Sequence, residues 1–149
     1  MNILFVCTGN TCRSPMAEHL FRKMLKDAGK PNVTVASAGT HAAPWVNFPP
    51  EAQEALASRG VTPVRHTAQD LTGLLIQQAD LILTMEEHHR RIVNDRFPEA
   101  REKTYVLKSY VQSSDPEKDI RDPIGFPVAV YNDVLSDIER ALIPLLKKI

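Results

Sequence analysis

Apolar residues in this chain come in short runs separated by stretches of helical spacing. Ile3 to Val6 is an unbroken apolar run, the pattern of a strand buried on both faces. It opens directly onto the Gly-containing stretch Cys7-Thr8-Gly9-Asn10-Thr11-Cys12-Arg13, which reads as a loop. Ser14 is placed to cap a helix and Pro15 suits its first turn, while Met16, Leu20, Met24 and Leu25 give that helix one apolar stripe through about Ala28. The first unit is strand, loop, helix.

The pattern then repeats. Asn32 to Ala38 predicts a second strand, and the segment through His41, Pro44, Trp45, Pro49 and Pro50 a rim loop before a helix near Glu51 to Arg59, with Gly60 as its stop. Asp80 to Met85 is the clearest interior strand, followed by a charged helical stretch from Glu86 to Phe97 that ends before Pro98. Tyr105 to Leu107 predicts the last strand. Ser113 to Gly125 is polar and turn-rich, and Tyr131 to Ile149 has helical spacing at Val134, Leu135, Ile138 and Leu142, with Pro144 a potential break. Strands alternating with helices predict an α/β fold: one domain over residues 1–149, a three-layer sandwich with a central four-stranded parallel sheet and helices on both faces. Ligands are expected beyond the carboxyl ends of the strands.

Eighteen Lys and Arg balance eighteen Asp and Glu, so no net field draws the chain to nucleic acid or an anionic membrane, and any anion site must be local. No apolar run approaches the ~20 residues of a membrane span, and no basic segment precedes the first apolar run, so a cytoplasmic location is expected. Cys7 and Cys12 are the only cysteines, too few for a disulfide-built fold. The five histidines are scattered and are assigned to surface or loop roles.

The first loop carries the chemistry. Cys7 and Arg13 enclose five residues, with Ser14 at a predicted helix start. A short loop curled around a tetrahedral phosphate can turn successive amide hydrogens inward, and the helix N-terminus adds favourable potential. The phosphate site therefore comprises Thr8, Gly9, Asn10, Thr11, Cys12, Arg13 and Ser14. Gly9 eases the curl, the Asn10 side chain can hold it, and Arg13 offers a bidentate grip. Cys7 becomes the nucleophile, with the Ser14 hydroxyl able to donate to its thiolate. Cys12 divides between packing and reversible protection of Cys7 as a redox partner. The Gly-Lys-Ser/Thr of a nucleotide P-loop is absent, and Cys-x4-Cys lacks the further ligands of a zinc site, so no metal or cofactor is expected.

The stretch Val6 to Glu18, together with Ser37-Ala38-Gly39 and Asp122-Pro123, closely resembles the low-molecular-weight protein tyrosine phosphatase family over essentially the whole chain. The resemblance implies Cys7 as nucleophile, Arg13 as phosphate clamp, Asn10 and Ser14 as supports, and Asp122 as general acid, ranked above Asp119 because Pro123 restricts its turn. It also implies a phosphocysteine intermediate and a sheet in the family's Rossmann-like arrangement.

Two positions depart from the tyrosine-selective pattern. Thr11 stands where such members usually carry an apolar residue, and Ile124-Gly125-Phe126 replaces a pair of tyrosines. Thr11 matches the bacterial protein-arginine phosphatase branch, which implies hydrolysis of phosphoarginine in proteins and opposition to a protein-arginine kinase; Thr11 and Ile124 are the specificity positions. Phosphotyrosine is the alternative, with Trp45 and Phe48 supplying an aromatic entrance wall. An arsenate relay would need a cysteine after Cys12, and none follows; a noncatalytic phosphate reader would not need Cys7, Arg13 and Asp122 together.

Overall fold

The apolar runs become four parallel strands. In a computed structural model describing residues 1–149, β1 (Asn2–Cys7), β2 (Thr34–Gly39), β3 (Leu81–Thr84) and β4 (Thr104–Val106) lie in the order β2-β1-β3-β4. The helices are α1 (Arg13–Asp27), α2 (Pro50–Ala57), α3 (Gly73–Gln78), α4 (Glu87–Arg96), α5 (Leu107–Tyr110) and α6 (Val128–Lys148), with a 3₁₀ turn at Pro98–Lys103. The period-2 alternation of β1 divides the core. Ile3 and Phe5 pack with Met16, Phe21, Leu135 and Ile138 of α1 and α6, while Leu4 and Val6 pack with Ile76, Ile82 and Val93 under α3 and α4. Both faces are covered, so both sets of β1 side chains are apolar.

The topology places the site. From β1 the chain passes to β2 on one side and later to β3 on the other, so a crevice opens at the carboxyl end of β1, where Cys7 pairs with Gly39. Cys7 follows Phe5 by two residues and shares its face, beneath α1.

Three expectations change. α1 begins at Arg13, so Ser14 lies inside the first turn and does not cap it; its hydroxyl is directed to Cys7 and Asn10. α6 begins at Val128 and runs through Pro144. The proline removes one amide bond in the last turns, and the buried stripe Val134, Leu135, Ile138, Ala141, Leu142 and Leu145 holds the helix against the core regardless. The short helices α3 and α5 lack a long periodic pattern and do not emerge from hydrophobic spacing.

The end of β2 lies hard against the loop after β1. A Cβ on Gly39 would sit 2.4 Å from the Thr8 carbonyl oxygen and 3.1 Å from the Asn10 nitrogen, both backbone atoms. Gly39→Ala should therefore cost about 1–3 kcal/mol in urea unfolding and displace the loop. Wild-type stability would mean that the loop yields freely at this point.

Candidate active site

The loop Thr8 to Cys12 is built so that its carbonyls face outward. The Cys7, Thr8 and Gly9 carbonyls accept from the amides of Thr40, His41 and Ala43 at 2.9, 2.9 and 3.1 Å. No backbone amide from Thr8 to Cys12 donates to a protein acceptor. Five consecutive amides turned away from their neighbours at the N-terminus of α1 make an anion cradle.

Asn10 sets the curl. Its φ of 55° is left-handed, a region that asparagine enters more readily than most residues. Its side chain fixes that shape from several directions, because Nδ2 donates to Ser14 Oγ at 2.8 Å and Ser37 Oγ at 2.9 Å. Oδ1 accepts from the Gln69 amide at 3.0 Å, and His66 Nε2 lies 2.9 Å from the Asn10 carbonyl. The Ser37 hydroxyl in turn donates to Glu18 Oε1 at 2.6 Å. Ser14 Oγ accepts from Asn10, which leaves its hydroxyl hydrogen for Cys7 Sγ, 2.9 Å away. Directionality along this chain delivers a donor to the sulfur.

Arg13 is buried, at 3% exposure, with its guanidinium between two carboxylates. NH1 donates to Glu86 Oε2 at 2.5 Å and to the Ile120 carbonyl at 2.8 Å, and NH2 lies 3.8 Å from Asp122 Oδ2. The fold thus brings Asp122 to Arg13 across more than a hundred residues. Asp122 is half-exposed, with Oδ1 accepting from the Ile124 amide two residues on. Asp119 instead accepts from the Glu87 amide at the start of α4.

Spacing did not single out Glu86 or His89. Burial raises the Glu86 pKa, but the bond and charge of Arg13, with His89 and His88, outweigh it and hold the carboxyl below its ordinary value. His89 is fully buried within α4, contrary to the surface or loop role expected for the histidines. Its Nδ1 accepts from the Glu86 amide at 3.1 Å, so Nε2 carries the proton and donates to Thr8 Oγ1 at 2.8 Å. Burial, then the charges of Arg13 and His88, push its pKa down to about 3 against the pull of Glu86. The one available signal was a polar pair three residues apart just after the β3 run, the pattern of a reciprocal cap; Glu86 and His89 do form one. His66, at Asn10, is a partly buried loop residue, as expected, but its ring is engaged with the cradle.

Cys12 is buried, its Sγ 3.5 Å from Tyr131 Oη and 3.8 Å from Thr11 Oγ1; burial pushes its thiol pKa up. Thr11 is itself buried. Trp45 is 80% exposed, but Phe48 is buried against His19 and His66 and does not line the entrance. Ile124 and Phe126 are exposed beside Asp122, with the Arg121 guanidinium 4.6 Å over the Phe126 ring.

The family model for low molecular weight phosphotyrosine protein phosphatase matches residues 2–149. A protein-arginine-phosphatase of Bacillus subtilis is 40% identical over 149 residues, covering 100% of this chain and 97% of that protein. A solved C7S mutant of the YwlE arginine phosphatase, with a phosphorylated active site serine, has a TM-score of 0.92 at 40% identity, covering 99% of this chain and 95% of its own. A low molecular weight protein tyrosine phosphatase from T. tengcongensis has the same TM-score at 36% identity, covering 100% and 99%.

His89 ties acid stability to this site. Its pKa is far below the ordinary histidine value in the folded state, so below about pH 6.5 the unfolded chain binds the extra proton. Stability from this group is complete above that pH and declines as pH falls toward 3. Urea midpoints between pH 7.5 and 5 should fall with acidification, and His89→Gln should flatten the slope; an unchanged slope would assign it to other groups.

Proposed function

The chain belongs to the low molecular weight phosphotyrosine protein phosphatase family, and from that premise we propose that it hydrolyses phosphoarginine in proteins, with Cys7 as nucleophile, Arg13 as clamp and Asp122 as general acid. The observation that carries this reading is the cradle of unspent amides from Thr8 to Cys12, closed by buried Arg13 and opening on Cys7.

Cys7, as thiolate, attacks phosphorus and forms the S–P bond as the P–N bond breaks, and Asp122 gives its proton to the departing guanidine nitrogen. The loop amides and Arg13 stabilise charge on the equatorial oxygens. Water then attacks the phosphocysteine; Asp122 takes its proton, inorganic phosphate leaves, and the thiolate is restored. The Ser14 hydroxyl supports that thiolate at 2.9 Å in the ground state. The phosphorylated active site serine of the YwlE mutant supports Cys7 as the attacking residue.

The choice of phosphoarginine rests on Thr11 in the cradle, on Ile124-Gly125-Phe126 after Pro123, and on the similarity to the Bacillus subtilis protein-arginine-phosphatase. The Thr11 hydroxyl offers a polar contact to a guanidinium or to the attacking water, and the unpaired aromatic wall is poorer for a phenyl ring. Phosphotyrosine is the second reading, favoured by the T. tengcongensis likeness and by exposed Trp45. No helix is long and apolar enough to cross a membrane. We place the enzyme in the cytoplasm, acting against a protein-arginine kinase, with Cys12 able to protect oxidised Cys7 as a disulfide.

On phosphoarginine and phosphotyrosine in the same peptide, the reduced enzyme should show higher kcat/KM for phosphoarginine, and Thr11→Ile should move the ratio toward phosphotyrosine by about tenfold or more. Preference for phosphotyrosine would favour the second reading. Asp122→Asn should lower kcat on unactivated substrates by about 10²–10⁴ at an unchanged melting temperature; equal rates would remove Asp122 as the acid.

A further inference from the structure

Behind Asn10, two imidazoles and a carboxylate converge that the phosphatase chemistry does not use as donors. His19 of α1 and His66 pack edge to face, ring centroids 5.8 Å apart, under the Phe48 ring, and Glu18 precedes His19 on the helix. One donor atom from each of Glu18, His19 and His66 lies within 4.8 Å of the others. His19 Nε2 is buried without a hydrogen-bond partner. An orphaned buried nitrogen is rare in a folded protein, and a bound ion is one partner that accounts for it.

We propose that His19 Nε2, His66 Nδ1 and a Glu18 carboxylate oxygen form a binding site for a borderline divalent transition metal of the Zn²⁺ class.

The donor chemistry selects that class. Two imidazoles and one carboxylate suit zinc, nickel or copper, whereas calcium and magnesium take oxygen donors. His66 already has the outer bond of a metal ligand: Nε2–H donates to the Asn10 carbonyl at 2.9 Å, which leaves the lone pair on Nδ1. Glu18 accepts from Ser37 and Arg22 at 2.6 Å each, and each oxygen keeps a second lone pair. Burial lowers the pKa of both histidines, which keeps them unprotonated and able to ligate near neutral pH.

His19 must shift its proton to Nδ1, which now lies 3.2 Å from Arg22 NH1. That guanidinium nitrogen has no other bond and can turn to water, while NH2 keeps Glu18 and the Val35 carbonyl. The Arg22 charge opposes the cation, but its side chain is 49% exposed and screened, and Glu18 offsets it. A metal here would tie α1 to the segment that holds Asn10, stiffening the loop from behind without touching Cys7.

Zn²⁺ titrated into the intact reduced protein should, at one equivalent, move the imidazole ¹⁵N resonances of His19 and His66 and leave those of His41, His88 and His89 in place. Shifts confined to His88 and His89, or no shifts, would overturn the site. By calorimetry Cys7→Ser should bind Zn²⁺ like wild type and His19→Leu at least about tenfold more weakly; affinity that depends on Cys7, or that survives His19→Leu, would also overturn it. His19→Leu should keep metal-free hydrolysis, and the wild-type spectra decide the matter if it folds poorly. None of these readouts depends on which phosphoresidue the enzyme prefers.

Discussion

The molecule depends on a division of hydrogen bonds in the loop after β1. The carbonyls of Cys7, Thr8 and Gly9 are taken up by amides beyond β2, and the amides from Thr8 to Cys12 are left without a protein acceptor. Backbone polar groups inside a protein normally find partners in both directions, so a loop that spends its acceptors and withholds its donors is poised for an anion. The arrangement needs β2 to press against the loop, which Gly39 permits, and it needs the left-handed turn at Asn10.

Arg13 shows how a buried cation is kept ready without being neutralised. One carboxylate, Glu86, is close, partly buried and fixed as the cap of α4; the other, Asp122, is half-exposed and more distant. The near partner sets where the guanidinium points, while the far one is held only by its own short turn, through the Ile124 amide. A buried charge stripped of its partner is strongly destabilising, so keeping Arg13 paired and keeping the fold are one requirement. His89 joins the arrangement from the other side: neutral and fully buried, it links the Glu86 backbone to Thr8 and so connects α4 to the rim of the cradle.

Much of this was legible before any coordinates. The apolar runs gave the strands, and Cys7, Arg13 and Ser14 declared their loop because local spacing fixes local geometry. Asp122 could be named only through the family resemblance, since nothing in its neighbourhood says that the chain returns to Arg13. Glu86, His89 and His66 escaped because their partners lie 73, 81 and 56 residues away, where no periodic pattern reaches. The last helix was legible through Pro144 as well: the potential break there does not occur, because a long buried stripe outweighs the local rule.

One contact joins the first loop to the longest helix. Tyr131, near the start of α6, meets Cys12 at the back of the first loop, 119 residues earlier, and α6 packs along α1. Cys12 therefore stands between the loop and α6, and the shape of the loop after β1 leans on a helix more than a hundred residues away in the chain. A repacking of α6 against α1 would reach the loop through this one sulfur, so the far helix acts as a distant wall of the site.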